Sequence, residues 1–130
     1  MTLVSILTPA YKPDFFADAL RSALAQTHDD FEHVICDDCP GDEVAAIVRE
    51  VAGDDPRVRY VRNAEDIGQI ENFNLAFRES RGEYLRWMGA DDWLEPSYAR
   101  LCAAALDALR QASLGRENTI EPMLAPAGEM

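Results

Sequence analysis

Short apolar runs alternate along the chain with stretches in which apolar residues recur every three to four positions. The run from Leu3 to Thr8, stopped by Pro9, reads as a buried strand. Pro13 and Asp14 open a stretch in which Phe16, Leu20, Ala23 and Leu24 share one helical face. A second strand, Phe31 to Cys36, runs into Asp37 and Asp38. Gly41 and Asp42 suit a helix start, and Val44, Ile47, Val48 and Val51 supply that helix with an apolar stripe. Beyond the turn signal Asp54-Asp55-Pro56, Val58 to Val61 forms a shorter third strand. Ile70, Phe73, Asn74 and Phe77 mark a third helix, closed by Arg81 and Gly82. Glu83 to Met88 is the fourth strand, and Pro96 and Ser97 begin a last helix carrying Leu101, Ala104, Ala105, Ala108 and Leu109 on one face.

This β-α-β-α-β-α-β-α order predicts an α/β fold, a Rossmann-like parallel sheet covered by helices. Residues 1–112 are expected to form one unit, and 113–130, with two prolines and no period, a loose tail or a continuation cut short. At 130 residues there is room for one core. The charge sum of 12 − 24 = −12, with a single lysine, leaves no basic stripe and argues against nucleic acid as a partner. No apolar run approaches the roughly 20 residues that span a bilayer. The first five residues carry no basic leader, and three cysteines do not make a disulfide scaffold, so a reduced, cytoplasmic setting is expected.

In open parallel sheets ligands bind beyond the carboxyl ends of the strands, where strand order reverses. Pro9-Ala10-Tyr11-Lys12 follows the first strand, Asp37-Asp38 the second, and Gly89-Ala90-Asp91-Asp92 the fourth. Two acidic pairs and an aromatic ring are thereby gathered on one edge. Carboxylates so gathered repel unless a cation sits among them, and loop oxygens suit a hard ion such as magnesium or manganese. A single Asp-Asp pair is more often a cap or a solvated loop; two at the ends of two parallel strands point to a site. Tyr11 has two readings of equal weight, a flat surface for a base or packing over the first helix.

Val4-Ser5-Ile6-Leu7-Thr8-Pro9-Ala10-Tyr11-Lys12 resembles the opening strand of the family-2 glycosyltransferases, V-S-I-I-x-P-x-Y-N. Ser22 to Thr27 and Phe31 to Asp38 are similar to that family's S-x-L-x-Q-T and F-E-I-I-V-V-D-D segments. Asp55 to Asn63, Gly68, Gly82-Glu83-Tyr84 and Asp91 to Pro96 continue in the family's order and spacing, so the likeness covers about residues 3 to 110. The resemblance implies a GT-A fold, here its nucleotide-binding half only, taking a nucleotide-diphosphate sugar. It implies Pro9, Ala10 and Tyr11 flanking the nucleobase, Asp38 on the base or ribose, and Asp91, with Asp92, at a divalent cation on the diphosphate. No Gly-rich phosphate loop is present, so such a cation would offset the diphosphate charge.

Three positions depart from the family pattern: Gly89 stands where the first Asp of D-x-D falls, Lys12 where Asn is common, and Cys39-Pro40 where a small polar turn is usual. Inverting members use a downstream carboxylate as general base on the acceptor hydroxyl. Glu95, Asp107, Glu117, Glu121 and Glu129 follow the motif here, none in a matching context, so the catalytic residue stays unassigned. The expectation is a donor-binding half, with the acceptor (glycan, lipid or protein) unspecified and a peripheral membrane association open through it. The alternative is a truncated or degenerate, non-catalytic nucleotide-sugar-binding or assembly module. Apolar surface left bare on the last helix would favour a homodimer.

Smaller features have bland readings. Cys36-x-x-Cys39 has redox or zinc spacing, but a strand-end position and no further ligands at suitable spacing favour a buried thiol and a turn thiol. Cys102 reads as core, Asn72 as a helix cap or surface amide, and Trp93 as a pin between loop and last helix. Arg57, Arg59 and Arg62 read as solvated strand-edge charge.

Overall fold

The computed structural model describes residues 2–115. Four strands, β1 (Val4–Ala10), β2 (Phe31–Asp37), β3 (Val58–Arg62) and β4 (Tyr84–Trp87), alternate with four helices, α1 (Phe16–Leu24), α2 (Glu43–Val51), α3 (Gln69–Glu79) and α4 (Tyr98–Gly115). All strand pairs are parallel, in the order β3-β2-β1-β4. The expected α/β architecture is present. Of the tail expected over 113–130, the first three residues continue α4, and the rest lie outside the described residues.

The helices divide between the two faces as right-handed crossovers require. Two steps in one direction, β1 to β2 to β3, put α1 and α2 on one face; the long return from β3 to β4 puts α3 on the other. Period-two alternation in the strands serves both faces. Val4, Ile6 and Ala10 of β1 and Phe31 and Ile35 of β2 pack with Phe16, Leu20, Val44 and Val48, joined by Ala99 and Ala103 of α4. Leu7, Val34 and Cys36 meet Ala76 of α3 on the opposite side. Each fully buried large side chain, such as Phe16 or Leu20, contributes about 1.5–3 kcal/mol.

Several details differ from expectation, each for a local reason. Pro9 does not stop β1. Its nitrogen faces β4, whose bonding to β1 ends with Met88 N donating to Leu7 O at 2.8 Å. Pairing with β2 continues to Ala10 opposite Asp37, so proline costs the ladder nothing. The α1 helix starts at Phe16, later than the pair Pro13-Asp14, after a turn in which Phe15 takes φ 63°.

The apolar positions read on α3 and α4 are not the buried ones. On α3, Asn72 and Ala76 face the sheet while Ile70, Phe73 and Phe77 are exposed, Phe73 stacking on Trp87 with centroids 5.0 Å apart. On α4, Ala99 and Ala103 are buried and Leu101 and Leu109 exposed. Asp107 turns α4, since its carboxylate accepts hydrogen bonds from Thr2 Oγ1 (2.9 Å) and Tyr84 OH (2.8 Å).

The edge of the sheet where the strands begin is closed by a polar network. The buried Glu32 carboxylate accepts from Ser5 Oγ (2.6 Å) and Arg81 N (2.6 Å) and pairs with Arg59 (3.2 Å). Ser5 Oγ in turn accepts from Gly82 N at 2.7 Å. The chain approaches so closely that a Cβ at Gly82 would lie 2.7 Å from the Ser5 nitrogen. This network fixes where α3 hands over to β4.

Candidate functional site

Strand order reverses between β1 and β4, and a cavity of 460 Å³ opens beyond their carboxyl ends. That volume lies within the range of small-ligand pockets. Its walls come from every part of the sheet's edge: Pro9 near the end of β1 and Tyr11 after it, Asp38 after β2, Asp66 and Gly68 from the β3–α3 loop, Asn72 and Phe73 from α3, and Gly89 after β4. Pro9, Tyr11 and Asp38 therefore meet across more than 25 residues of sequence. Tyr11 is half exposed and lines the cavity.

Ala10 does not line the cavity. Its side chain is fully buried in the core, on the α1 face, because alternation turns it away from Pro9. What it supplies is a carbonyl, which accepts from Asp38 N at 2.8 Å and fixes the start of the β2–α2 loop.

Asp38 is buried and accepts three hydrogen bonds. Oδ1 accepts from Asn63 Nδ2 (3.0 Å) and Ile67 N (3.0 Å), and Oδ2 from Gly68 N (3.1 Å). Burial raises its pKa, but the hydrogen bonds from Asn63 and Ile67, the neighbouring Asp66 carboxyl and Gly68 N outweigh that and hold it below the usual carboxylate value. Gly68 N also reaches Asp66 Oδ1 at 2.9 Å, and its φ of 85° and ψ of 161° belong to a region only glycine occupies readily. Asp37 points to the other face, where it accepts from Cys39 N (2.8 Å) and from the Tyr60 hydroxyl, whose pKa rises through burial and that carboxylate.

The Gly89–Asp92 loop is a tight turn. Asp92 Oδ2 accepts from Gly89 N at 2.8 Å, and Asp92 N donates to Gly89 O at 3.1 Å. A Cβ at position 89 would lie 3.1 Å from that Asp92 carboxylate, so the missing Asp at 89 and the inward turn of Asp92 go together. Asp91 is exposed and, among the described residues, is in no hydrogen bond or ion pair. Asp92 is exposed too, and neither carboxylate lines the cavity, which reaches this loop at Gly89. No group of three or more His, Cys, Asp or Glu side chains gathers among the described residues to cage a metal. A hard cation that keeps waters and takes ligand phosphate oxygens needs only one or two protein carboxylates, which this loop can offer.

Other candidates fall elsewhere. Glu95 and Asp107 do not line the cavity, and Asp107 sits against Thr2 where β1 begins. Glu117, Glu121 and Glu129 lie outside the described residues. Arg57, Arg59 and Arg62 are ion-paired with Asp55, Glu32 and Glu79, and Asp42 respectively, so the solvated-charge reading gives way to paired charge. Cys36 and Cys39 are free and buried, and burial, with Glu79 adding to it, pushes the Cys36 thiol up to about 11, the opposite of an activated thiol. Cys102 is only partly buried, and Trp93 is exposed.

The sequence reading missed the inward role of Asn72, which is 3% exposed and donates through Nδ2 to Cys36 O at 2.9 Å. It also left out Asp66, Gly68, Gln69 and Phe73 as cavity wall. The signal was an amide at a sheet-facing position of α3, one turn before Ala76.

The model of Glycosyl transferase family 2 matches residues 5–120. Chondroitin synthase of Escherichia coli is 39% identical over 102 residues, covering 77% of this chain and 15% of that protein. The crystal structure of Staphylococcus aureus TarS 1-349 in complex with UDP superposes with a TM-score of 0.74 at 23% identity, covering 83% of this chain and 32% of that one. The mannosyltransferase PcManGT of Pyrobaculum calidifontis, in complex with GDP-Man and Mn2+, superposes with a TM-score of 0.62 at 25% identity over 69% of this chain and 28% of that one. The chain spans between 13% and 36% of the length of the curated relatives it matches first. Among the described residues no helix is long and apolar enough to cross a membrane.

Proposed function

This chain belongs to glycosyl transferase family 2, and on that premise we propose that it binds a nucleotide-diphosphate sugar, with a divalent cation, as the donor half of a glycosyltransferase. The observation that carries this reading is the cavity itself, which joins Pro9, Tyr11 and Asp38 to Gly89, the first residue of the loop that bears Asp91 and Asp92, where strand order reverses. Tyr11 and Phe73 offer flat apolar surface for a base, and Asp38 offers carboxylate oxygens for donors on the base or ribose. Asp91, with Asp92, would hold the cation, manganese or magnesium, next to Gly89, the residue of this loop that lines the cavity; Asp92 also accepts from Gly89 N. Bound there, the cation offsets diphosphate charge and stabilises the leaving group. A chain with net charge −12 favours an anionic donor only when a cation accompanies it.

Transfer to an acceptor hydroxyl would proceed by displacement with inversion, the base drawn from a carboxylate other than Glu95 and Asp107. Neither of those lines the cavity. The same observation favours the second reading, a non-catalytic nucleotide-sugar-binding or assembly module. The exposed Leu101, Leu106 and Leu109 of α4 support a homodimer under either reading.

Calorimetric titration of the chain with uridine and guanosine diphosphates, with and without manganese, tests the proposal. Manganese-dependent binding that Asp91→Ala abolishes is the expected result. Absence of binding to the folded chain, or binding indifferent to Asp91→Ala, refutes it. Donor hydrolysis or sugar transfer by the chain alone would eliminate the non-catalytic reading.

A further inference from the structure

The buried side chain of Asn72 ties α3 both to the end of β2 and to the Asp38 loop. Its Nδ2 donates to Cys36 O at 2.9 Å, and its Oδ1 accepts from Asn63 Nδ2 at 3.0 Å. The second hydrogen on Asn63 Nδ2 goes to Asp38 Oδ1, also at 3.0 Å. The direction of every bond is forced. A backbone carbonyl only accepts, so Asn72 must present its NH2 to Cys36 and therefore its oxygen to Asn63. Asn63 must then present its NH2, the one group that serves both Asn72 and the Asp38 carboxylate. Asp38 in turn gathers Ile67 N and Gly68 N, the backbone of the cavity's outer wall.

We propose that Asn72 is a positioning residue for the ligand cavity: through Asn63 it orients the Asp38 carboxylate and holds the 63–68 loop against it. The inference rests on the donor-binding reading of the cavity. Asn72 borders the cavity, but its polar atoms are spent on Cys36 and Asn63, so its influence on a ligand passes through Asp38. A group in its place needs a donor and an acceptor at amide spacing. Aspartate, of equal size, has no donor for the Cys36 carbonyl and sets a charge beside it; alanine leaves both neighbours unpaired.

A double-mutant cycle separates positioning from plain support of the fold. Asn72→Ala, Asn63→Ala and the double variant are titrated with uridine diphosphate and guanosine diphosphate in the presence of manganese. Each single change is expected to weaken binding about tenfold, the worth of one buried hydrogen bond, and the double variant to bind no more weakly than the weaker single. Val48→Ala, a core change on the other face, is expected to lower the melting temperature and leave affinity unchanged. Asn72→Ser, too short to span Cys36 and Asn63 but kinder to the fold, replaces Asn72→Ala if that variant does not fold. Affinity unchanged in either Asn72 variant, or losses that multiply in the double variant, overturn the inference while leaving the cavity's assignment intact. A wild-type chain that binds neither nucleotide overturns both.

Discussion

His33 makes the stability of this fold depend on pH well above the carboxylate range. It lies on β2, fully buried, with Nε2 2.8 Å from Thr8 Oγ1 and Nδ1 without a partner among the described residues. Burial alone lowers its pKa from 6.5 to about 3, so the folded chain keeps it neutral. The unfolded chain takes up a proton as pH falls through 6.5. Between those values the unfolded state binds more protons, so stability falls as pH falls. From pH 7.5 to pH 5 the loss attributable to His33 is about 1.5 units at ~1.36 kcal/mol each, or about 2 kcal/mol. Any folded value well below 5 gives the same loss, because only the unfolded state titrates in that window. His33→Gln removes the titrating group and keeps an amide beside Thr8. Urea unfolding at pH 7.5 and pH 5, with wild type and variant compared at each, reads the effect as the difference of two differences. The variant is expected to lose about 2 kcal/mol less than wild type over this interval. Equal losses in the two proteins would refute the argument, since they would mean that His33 titrates alike folded and unfolded.

Two further changes address the network that starts the sheet and the loop that ends it. Glu32→Ala strips Ser5, Arg81 N and Arg59 of their shared acceptor, and should cost about 3–5 kcal/mol in denaturant unfolding, as removal of one partner of a buried pair does. A cost under 1 kcal/mol would mean that water replaces the carboxylate. Gly68→Ala forces a Cβ onto a backbone at φ 85°, at an expected cost of about 1–3 kcal/mol if the loop holds its shape. Nucleotide affinity should fall with it, because Gly68 N is one of the donors to Asp38; an unchanged melting temperature and affinity would show that the loop takes another path.

Much of the architecture was legible in the residues. Four apolar runs and the periodic stretches between them specified β-α alternation, and parallel strands with right-handed crossovers follow from it. Legibility failed where the face of a helix was read from hydrophobicity alone. Ile70, Phe73 and Phe77 form the apolar stripe of α3, yet the face on the sheet is set by Asn72 bonding Cys36 O and by Ala76 fitting closely. On α4 small alanines lie inward and leucines outward, with the turn set by Asp107.

The positions of Pro9, Tyr11, Asp38 and the Asp91 loop at strand ends could be deduced from sequence, because a parallel sheet sends every strand end to the same edge. Which of those side chains face the cavity could not. Alternation sends Ala10 to the core and Pro9 to the cavity wall, the loop after β4 meets the cavity at Gly89 and not at Asp91 or Asp92, and the Asn72–Asn63 link to Asp38 spans 34 residues of chain. Periodicity along a chain determines which elements form and at which edge their ends meet. The orientation of each polar group depends on partners distant in sequence, and only the packed structure brings those partners within hydrogen-bonding reach.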